Sequence, residues 1–398
     1  MAGGELLGSG VYIGRDLFGS AFCFDPFLAY AAGIVRSPNM VVLGQLGHGK
    51  SSLVKSFAWR QLVFGRQVWA LDPKGEYAPL AAAVGVAPFT LRPGGTLRLN
   101  PLDPGPLATD QTAEEVTARQ TKLLAALGEI ALGRRLSPAE HAACQEALDA
   151  VRASDSVPTL PRVVDVLLRP SEAVATNLAT QVDRHAAEAR DLALALRRLV
   201  HGDLAGMFDG PTTPGLNLGG DLVVLDLSAV YESEALGVFM TCASAFLTAR
   251  LRARDGRKRI VITDEAWAVL SDLGMARWMR ASWKLARQYG VCHIAVLHGL
   301  SDLDAAGTAG SEQERLALGL IRDTETRVIY NQSDHEAATT RARLNLSDTE
   351  AAIIPTMPPG RALWKVKTHS ALVDHLLGPT ERALIDTDAA MNDTPAIA

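Results

Sequence analysis

The stretch Met40-Val-Val-Leu-Gly-Gln-Leu-Gly-His-Gly-Lys-Ser-Ser52 determines the fold prediction for this chain. It begins as a short apolar run and becomes glycine-rich, and Ser51–Phe64 is predicted to continue as a helix. Gly44–Ser51 matches the pattern G-x-x-x-x-G-K-[ST] of a P-loop. In such a loop the glycines let successive backbone N–H groups point inward, and the helix dipole favours an anion at the same place. The stretch therefore predicts a strand, a phosphate-binding loop and a helix.

Two side chains of this loop have predicted roles with ATP. Lys50 can reach the β- and γ-phosphates, and the hydroxyl group of Ser51 can ligate Mg²⁺. We therefore predict ATP and Mg²⁺ as the ligands. The predicted ATP-binding residues are Gly44, Gln45, Leu46, Gly47, His48, Gly49, Lys50, Ser51 and Ser52.

A later strand candidate ends in two adjacent acids, which are the groups that hydrolysis requires in addition to a P-loop. Arg259-Ile-Val-Ile-Thr-Asp264 is followed directly by Glu265. We predict that Asp264 holds Mg²⁺, directly or through water, and that Glu265 polarises the attacking water. The strand candidate Leu222–Asp226 also ends in an acid, but no second acid follows it, so we favour Asp264 and Glu265. Together with Lys50 they form the predicted catalytic set.

A histidine follows the strand predicted at Val291–Leu297. A polar side chain just past the strand beside the acid strand can sense the γ-phosphate. We therefore take His298 as the candidate sensor. The alternative is that His298 is an ordinary loop histidine.

The rest of the sequence predicts an α/β fold with a mostly parallel sheet, because strand and helix patterns alternate on both sides of a helix-rich stretch. Alanine, leucine, glutamate and arginine are frequent between about 110 and 200, which predicts an all-helical insertion. The predicted parts are a small β lead-in at 1–38, a core at 39–108 and 202–378, the insertion at 109–201, and a C-terminal tail at 379–398.

Composition limits the class of protein. The chain is 48% hydrophobic and carries a net charge of −5, so it can bury a core, and global charge does not favour a nucleic-acid coat. Its four cysteines form no Cys-x-x-Cys pair, which argues against a disulfide framework or a zinc site. No signal peptide is apparent at Met1–Gly10, and the apolar stretch Ala235–Ala249 is short for a membrane span of ~20 residues. We expect a cytoplasmic protein.

Three further segments carry a family resemblance. They are Leu71-Asp-Pro-Lys-Gly-Glu-Tyr77, Leu99-Asn-Pro-Leu-Asp103, and Gly206–Gly210 with the strand candidate that follows it. Together with the P-loop and the two acids, they resemble the HerA–FtsK superfamily of hexameric ATPases. Within it, the chain looks most like the TraC/VirB-type ATPases of conjugation and type IV secretion, in an actinobacterial-looking form. The resemblance covers roughly Tyr12–Val373.

This resemblance implies a RecA-like core, a homo-hexamer with ATP between subunits, and an arginine supplied by the neighbouring subunit. It also implies membrane-embedded secretion or transfer components as partners, a position at the inner face of the cell membrane, and DNA as a further candidate partner. Family members usually have Gln where this chain has His298, and they often carry a large N-terminal domain. For this chain we expect either that the function needs only the motor or that a separate protein supplies that domain. The candidate arginines are Arg36, Arg287, Arg322 and Arg361.

The leading functional prediction is therefore an ATP-hydrolysing motor for conjugative transfer or type IV secretion. One alternative is a HerA-like DNA translocase or helicase. The basic run Arg250–Arg259 could face DNA in a pore, although we favour a charged helix end for it. Another alternative is a nucleotide-gated structural or assembly ring with low turnover, which the absence of the Gln sensor suggests.

Overall fold

A computed structural model describes residues 9–103, 112–154, 157–215, 219–231, 236–242, 256–270, 273–305 and 311–385. Most of the helix predicted around Ala235–Ala249, the first part of the basic run Arg250–Arg259 and the tail at 386–398 lie outside the described residues. The described residues belong to two compact units. The first unit lies within 1–89, 218–228 and 254–398, and the second lies within 90–217 and 229–253.

The first unit is built on a mixed sheet. Its parallel strands are runs of buried residues, as expected for strands that are covered on both faces. The spatial order is β2-β1-β11-β10-β9-β3-β8-β7-β4-β6-β5. The strands are β1 (Val11–Asp16), β2 (Ala21–Phe24), β3 (Met40–Leu43), β4 (Gln67–Asp72), β5 (Phe89–Thr90), β6 (Leu222–Asp226), β7 (Arg259–Thr263), β8 (Val291–Leu297), β9 (Thr326–Ile329), β10 (Arg361–Val366) and β11 (His369–His375).

The six strands from β9 to β6 in this order run parallel to one another. Val42 of β3 lies opposite Val296 of β8 and Val328 of β9. Ile294 of β8 lies opposite Ile262 of β7, so β8 separates the strand before the P-loop from the strand before the two acids. We call the edge where these strands end the carboxyl edge, and the edge where they begin the amino edge.

The predicted β lead-in joins the same sheet. β1 pairs antiparallel with β2 and with β11, so strands from the two ends of the described chain are neighbours. β11 pairs in turn with β10, and β10 with β9. Trp364 of β10 packs on Phe22 and Phe24, with ring centroids 5.1 and 5.4 Å away. The antiparallel strands thus extend the parallel core beyond β9.

Helices cover this sheet, and none of those described combines the length and the apolar character that a membrane crossing needs. In the first unit they are α1 (Pro26–Ala31), α2 (Lys50–Val63), α3 (Ala78–Val84), α9 (Ala266–Leu270), α10 (Leu273–Tyr289), α11 (Asp302–Ala305), α12 (Glu312–Arg322), α13 (Asp334–Leu344), α14 (Asp348–Ile353), a 3-10 turn (Ile354–Thr356) and α15 (Pro379–Ile385). α15 lies in the stretch predicted as tail, and its Glu381 forms an ion pair with Arg60 of α2 at 2.6 Å.

The second unit is helical wherever regular structure is described in it, apart from Thr90 at the end of β5. The capping box predicted at its second helix is present, because Ser137 and Glu140 exchange backbone and side-chain hydrogen bonds of 2.8 and 3.2 Å. Residues 236–242 are also helical. The remaining helices are α4 (Ala113–Leu132), α5 (Pro138–Ser154), α6 (Leu160–Leu168), α7 (Glu172–Asn177) and α8 (Val182–His201).

Candidate nucleotide site

The P-loop follows β3 and needs glycine at three positions. Gly44, Gly47 and Gly49 have φ angles of 146°, 78° and 102°, a region that side chains disfavour. A Cβ atom on Gly44 would also lie 2.5 Å from Cβ of Tyr330. The N–H group of Gln45 donates to the carbonyl of a residue that follows β9, at 2.8 Å. The neighbouring strand therefore fixes the curl of the loop.

Lys50 is the first residue of α2 and is 5% exposed. Its Nζ donates to the carbonyl oxygens of Gly44 at 2.5 Å and Gln45 at 2.9 Å, and it lies 3.1 Å from Nδ1 of His298. Burial lowers the pKa of Lys50 to about 8, although the charge of Glu265 opposes this shift. The ammonium group therefore faces into the curl of the loop, where a P-loop binds phosphates.

The two acids predicted from the sequence follow β7 directly. Asp264 is 8% exposed and Glu265 is 6% exposed. Glu265 has a φ angle of 46°, in the left-handed region, and its N–H group donates to Oδ1 of Asp264 at 3.1 Å. Burial raises the pKa of Asp264 to about 6, and the negative charges of Glu265 and Glu76 add to this effect.

Three donors surround the carboxylate of Glu265. Nζ of Lys74 lies 2.5 Å from Oε1, Nε1 of Trp267 lies 2.7 Å from Oε2, and Nε2 of His298 lies 3.0 Å from the carboxylate. Burial alone would raise the pKa of Glu265, but the hydrogen bonds from His298, Lys74 and Trp267 lower it to about 2. Glu265 is thus held as a carboxylate in a fixed orientation.

His298 connects the P-loop lysine with the second acid. It follows β8, the strand between β3 and β7, and its two ring nitrogens face Lys50 and Glu265. Nδ1 of His298 thus faces a donor, and Nε2 faces an acceptor. The contacts Lys50–His298–Glu265 thus cross the carboxyl edge of three adjacent strands.

The Asp-Pro-Lys-Gly-Glu-Tyr element lies beside these acids. It follows β4, which pairs with β7. The carboxylate of Asp72 accepts the N–H groups of Lys74, Glu76 and Tyr77 at 3.3, 3.0 and 2.9 Å. Glu76 also forms an ion pair with Lys55 of α2 at 2.9 Å. The element is therefore a rigid turn that directs Lys74 toward the second acid.

The sequence motifs do not predict Lys74 or Trp267 as partners of Glu265, although Lys74 belongs to an element that carries the family resemblance. The position of Lys74, two residues after a buried strand, is a signal for it in the sequence. The carboxyl ends of parallel strands share one edge, so a residue at that position can lie near the acids. The order of the strands, which places β4 next to β7, was not available from the sequence. Trp267 gave no such signal.

The competing acid Asp226 lies elsewhere on the sheet. It ends β6, which is two strands away from β7, and it lies opposite Asp72. Its Oδ1 accepts the N–H and Oγ–H groups of Ser228 at 3.0 and 2.6 Å. The structure thus brings Asp264 and Glu265, and not Asp226, next to the P-loop lysine.

The four candidate arginines lie in two places. Arg361, at the start of β10, forms a two-fold ion pair with Asp374 at 2.6 and 2.9 Å. The N–H group of Gly360 beside it donates to the carbonyl of His48 at 3.0 Å, so Arg361 lies near the P-loop of its own chain. The other three are each four residues before a parallel strand begins, at the amino edge. They are Arg36 before β3, Arg287 before β8 and Arg322 before β9.

Two of these arginines share a basic cavity at the amino edge. The cavity has a volume of about 130 Å³, and its floor includes Trp283, which donates to Thr324 at 3.2 Å and stacks on His293. No carboxylate partner is present for its four cations among the residues that the structure describes, although Asp323 also lines the cavity. The four cations are Arg36, Arg280, Lys284 and Arg287.

The oxygen atoms at the site suit Mg²⁺. Ser51 supplies a hydroxyl group beside Lys50, and Asp264 supplies a buried carboxylate with the negative charges of Glu265 and Glu76 nearby. Mg²⁺ is usually bound by one or two carboxylates together with phosphates and water. In the described part of the chain, no cluster of three or more His, Cys, Asp or Glu side chains arranged for a metal occurs.

Comparisons with known proteins identify the fold. No family model matches the sequence, and no curated protein matches it. Among solved structures, VirB4 of Thermoanaerobacter pseudethanolicus superposes with a TM-score of 0.73 and 20% identity, covering 94% of this chain and 98% of that one. The plasmid coupling protein TrwB in complex with ADP and Mg²⁺ gives a TM-score of 0.61 and 13% identity, covering 95% and 93%. The predicted α/β fold with a RecA-like P-loop core is therefore confirmed.

Proposed function

We propose that this chain is an ATP-hydrolysing motor that powers conjugative transfer or type IV secretion of DNA or protein. The observation that carries the proposal is the row of contacts Lys50–His298–Glu265, with Asp264 beside it, at the carboxyl edge. The row joins a phosphate-binding lysine to an acid that can act on water. VirB4 and TrwB share the fold, and TrwB has been solved with ADP and Mg²⁺.

Each residue has a role in this proposal. Lys50 neutralises the β- and γ-phosphates, and the inward N–H groups of Gly44–Ser52 bind their oxygens. Ser51 and Asp264 hold Mg²⁺, which supplies charge stabilisation to the transferred phosphoryl group. Glu265 orients and polarises the attacking water, and His298 keeps the acid and the lysine in register.

We place the arginine that each subunit supplies to the nucleotide site of its neighbour at the amino edge. Arg361 is bound to Asp374 of its own chain, whereas the guanidinium groups of Arg36 and Arg287 lie in the basic cavity without a carboxylate partner among the described residues. An anion from a neighbouring subunit is a suitable partner for them. This arrangement requires the homo-hexamer that the family resemblance implies, with membrane-embedded transfer components as further partners at the inner face of the membrane.

A ring with low turnover is the second candidate, and one observation favours it. The carboxylate of Glu265 is bound by three donors and its pKa is about 2, so in this arrangement it is a weak base. The DNA-translocase alternative gains less support. In the described part of the basic run, Arg257 pairs with Asp221, and Arg259 is buried against Gln67.

Turnover and assembly state test the proposal together. We expect wild-type protein to hydrolyse ATP through many turnovers with Mg²⁺ and to form a hexamer by light scattering, and Lys50→Ala to lose hydrolysis. Hydrolysis near background would favour the low-turnover ring, and a stable monomer with and without MgATP would contradict both motor readings. Strong stimulation by DNA that disappears at high salt would favour the translocase.

A further inference from the structure

Lys74 is a charged side chain that the P-loop and acid motifs leave without a role. Its Nζ lies 2.5 Å from Oε1 of Glu265, and 40% of its side chain is exposed, against 7% for Glu265. Burial would lower the pKa of Lys74, but the hydrogen bond to Glu265 raises it. Lys74 is therefore a full cation at the border between the second acid and solvent.

The backbone beneath Lys74 is held by hydrogen bonds, while its long side chain is 40% exposed. Asp72 accepts the N–H group of Lys74 and those of two further residues in the turn. Gly75, with a φ angle of 73°, closes the turn, and Glu76 is tied to Lys55. Movement of the ammonium group therefore needs side-chain rotation only.

Lys74 is close to the place where the terminal phosphate of ATP would bind. Three contacts of 2.5, 3.0 and 3.1 Å lead from Lys74 through Glu265 and His298 to Lys50. Lys50 is the residue that reaches the β- and γ-phosphates in a P-loop. A γ-phosphate held by Lys50 offers Lys74 a second anion that carries more charge than one carboxylate.

We propose that Lys74 moves from Glu265 to the γ-phosphate of bound ATP and so makes the site distinguish ATP from ADP. The inference rests on the proposed function, because it requires ATP at the P-loop. The same movement removes one of the three donors from Glu265. Oε1 of the water-polarising carboxylate then loses its contact with Lys74 only when a third phosphate is present.

Nucleotide affinities of Lys74→Met test this inference. The affinity of the full chain for ADP and for a non-hydrolysable imido analogue of ATP is measured by calorimetry with Mg²⁺. Loss of one charge-assisted contact should weaken binding of the analogue about tenfold and leave the affinity for ADP unchanged. Lys365→Met is the matched control. Lys365 lies away from the P-loop, where its Nζ forms an ion pair of 2.7 Å with Glu350, so this variant should change neither affinity.

The outcomes separate this inference from the proposed function. Failure of wild-type protein to bind either nucleotide would overturn both. If wild-type protein binds both and Lys74→Met shows equal changes for the two nucleotides, or none, the inference alone is overturned. Lys74→Arg retains the charge and should retain most of the preference for the analogue, and a loss as large as that of Lys74→Met would also overturn it.

Tryptophan emission gives a readout apart from binding. Nε1 of Trp267 donates to Oε2 of Glu265 at 2.7 Å, so its emission responds to changes at that carboxylate. We expect the imido analogue to change the emission of wild-type protein more than ADP does, and this difference to disappear in Lys74→Met and in Trp267→Phe. Equal responses to the two nucleotides in wild-type protein would contradict a movement of Lys74.

Discussion

The two edges of the parallel strands differ in how their charges are paired. At the carboxyl edge, Lys74 and His298 contact Glu265, and Lys50 contacts two carbonyl groups and His298. At the amino edge, the cations of the basic cavity have no carboxylate partner among the described residues. Both edges belong to the same strands. The charged groups of the carboxyl edge contact partners in the same chain, and the cations of the amino edge line an open cavity. The charged groups of the carboxyl edge are therefore paired with one another, whereas the cations of the amino edge are available to the partner anion that we propose.

The largest expected effect tests the amino edge. If Arg287 completes the site of a neighbouring subunit, Arg287→Ala should lower kcat about 10³-fold or more and leave nucleotide affinity unchanged, because an arginine finger stabilises charge only in the transition state. Steady-state turnover and binding measurements check this. Arg322→Ala is the control, since Arg322 lies at the same edge outside the basic cavity.

Mixing variants tests whether this arginine acts across subunits. Arg287→Ala and Glu265→Gln should each be inactive, but rings assembled from both contain interfaces with an intact Glu265 and an intact Arg287. We therefore expect the mixture to regain turnover. A mixture as inactive as its components would contradict an action of Arg287 across the subunit boundary.

A stability measurement tests the organisation of the carboxyl edge. Asp72→Asn should lower the free energy of unfolding by about 2 kcal/mol, because three N–H groups lose a charged and buried acceptor. Urea denaturation checks the prediction. Asp16→Asn is the control, since Asp16 accepts two N–H groups in an exposed turn and should change stability by less than about 0.5 kcal/mol. Equal losses of stability in the two variants would contradict a special contribution of the Asp72 turn.

The charge of Lys50 predicts how ATP binding depends on pH. A lysine with a pKa of about 8 is protonated below that value and loses its charge above it, so affinity should fall as the pH rises through 8. The expected loss is about tenfold between about pH 7 and about pH 9, because one linked proton gives roughly tenfold per pH unit only above the pKa. Lys50→Arg cannot lose its charge in this range. A wild-type profile as flat as that of Lys50→Arg would contradict the lowered pKa.

The smallest expected effect lies again at the amino edge. Replacing Arg280 and Lys284 with glutamine should change the free energy of unfolding by less than about 0.5 kcal/mol, because no ion pair within the described chain is lost. Thermal and urea denaturation check this. A loss of 2 kcal/mol or more would show that these cations stabilise the fold itself.

The sequence predicted the parts of the site that depend on local pattern. The apolar run, the glycines and Lys50 lie within thirteen consecutive residues, and Asp264 and Glu265 follow a buried strand directly. The placement of His298 beside the acid strand agreed with the pairing of β8 and β7. These features need only one strand, its end and the adjacent turn.

The rest depended on contacts between distant parts of the chain. The ion pair between Lys74 and Glu265 joins residues that follow β4 and β7, two strands whose adjacency no local pattern encodes. The pairing of β1 with β11 likewise brings together residues at opposite ends of the described chain. The basic cavity combines Arg36 with helix α10 in the same way. The sequence predicted where strands form, but it did not predict the order of the strands in the sheet.

Turnover by Glu265→Gln tests the central claim, which is that the carboxyl edge is a hydrolytic site. ATP hydrolysis is measured with ATP binding on the same wild-type and variant samples. We expect Glu265→Gln to bind ATP as wild-type protein does and to hydrolyse it about 10²-fold more slowly or worse, because a positioned base contributes at least that factor. Equal turnover in the two proteins would contradict the assignment of Glu265 and with it the account of this edge.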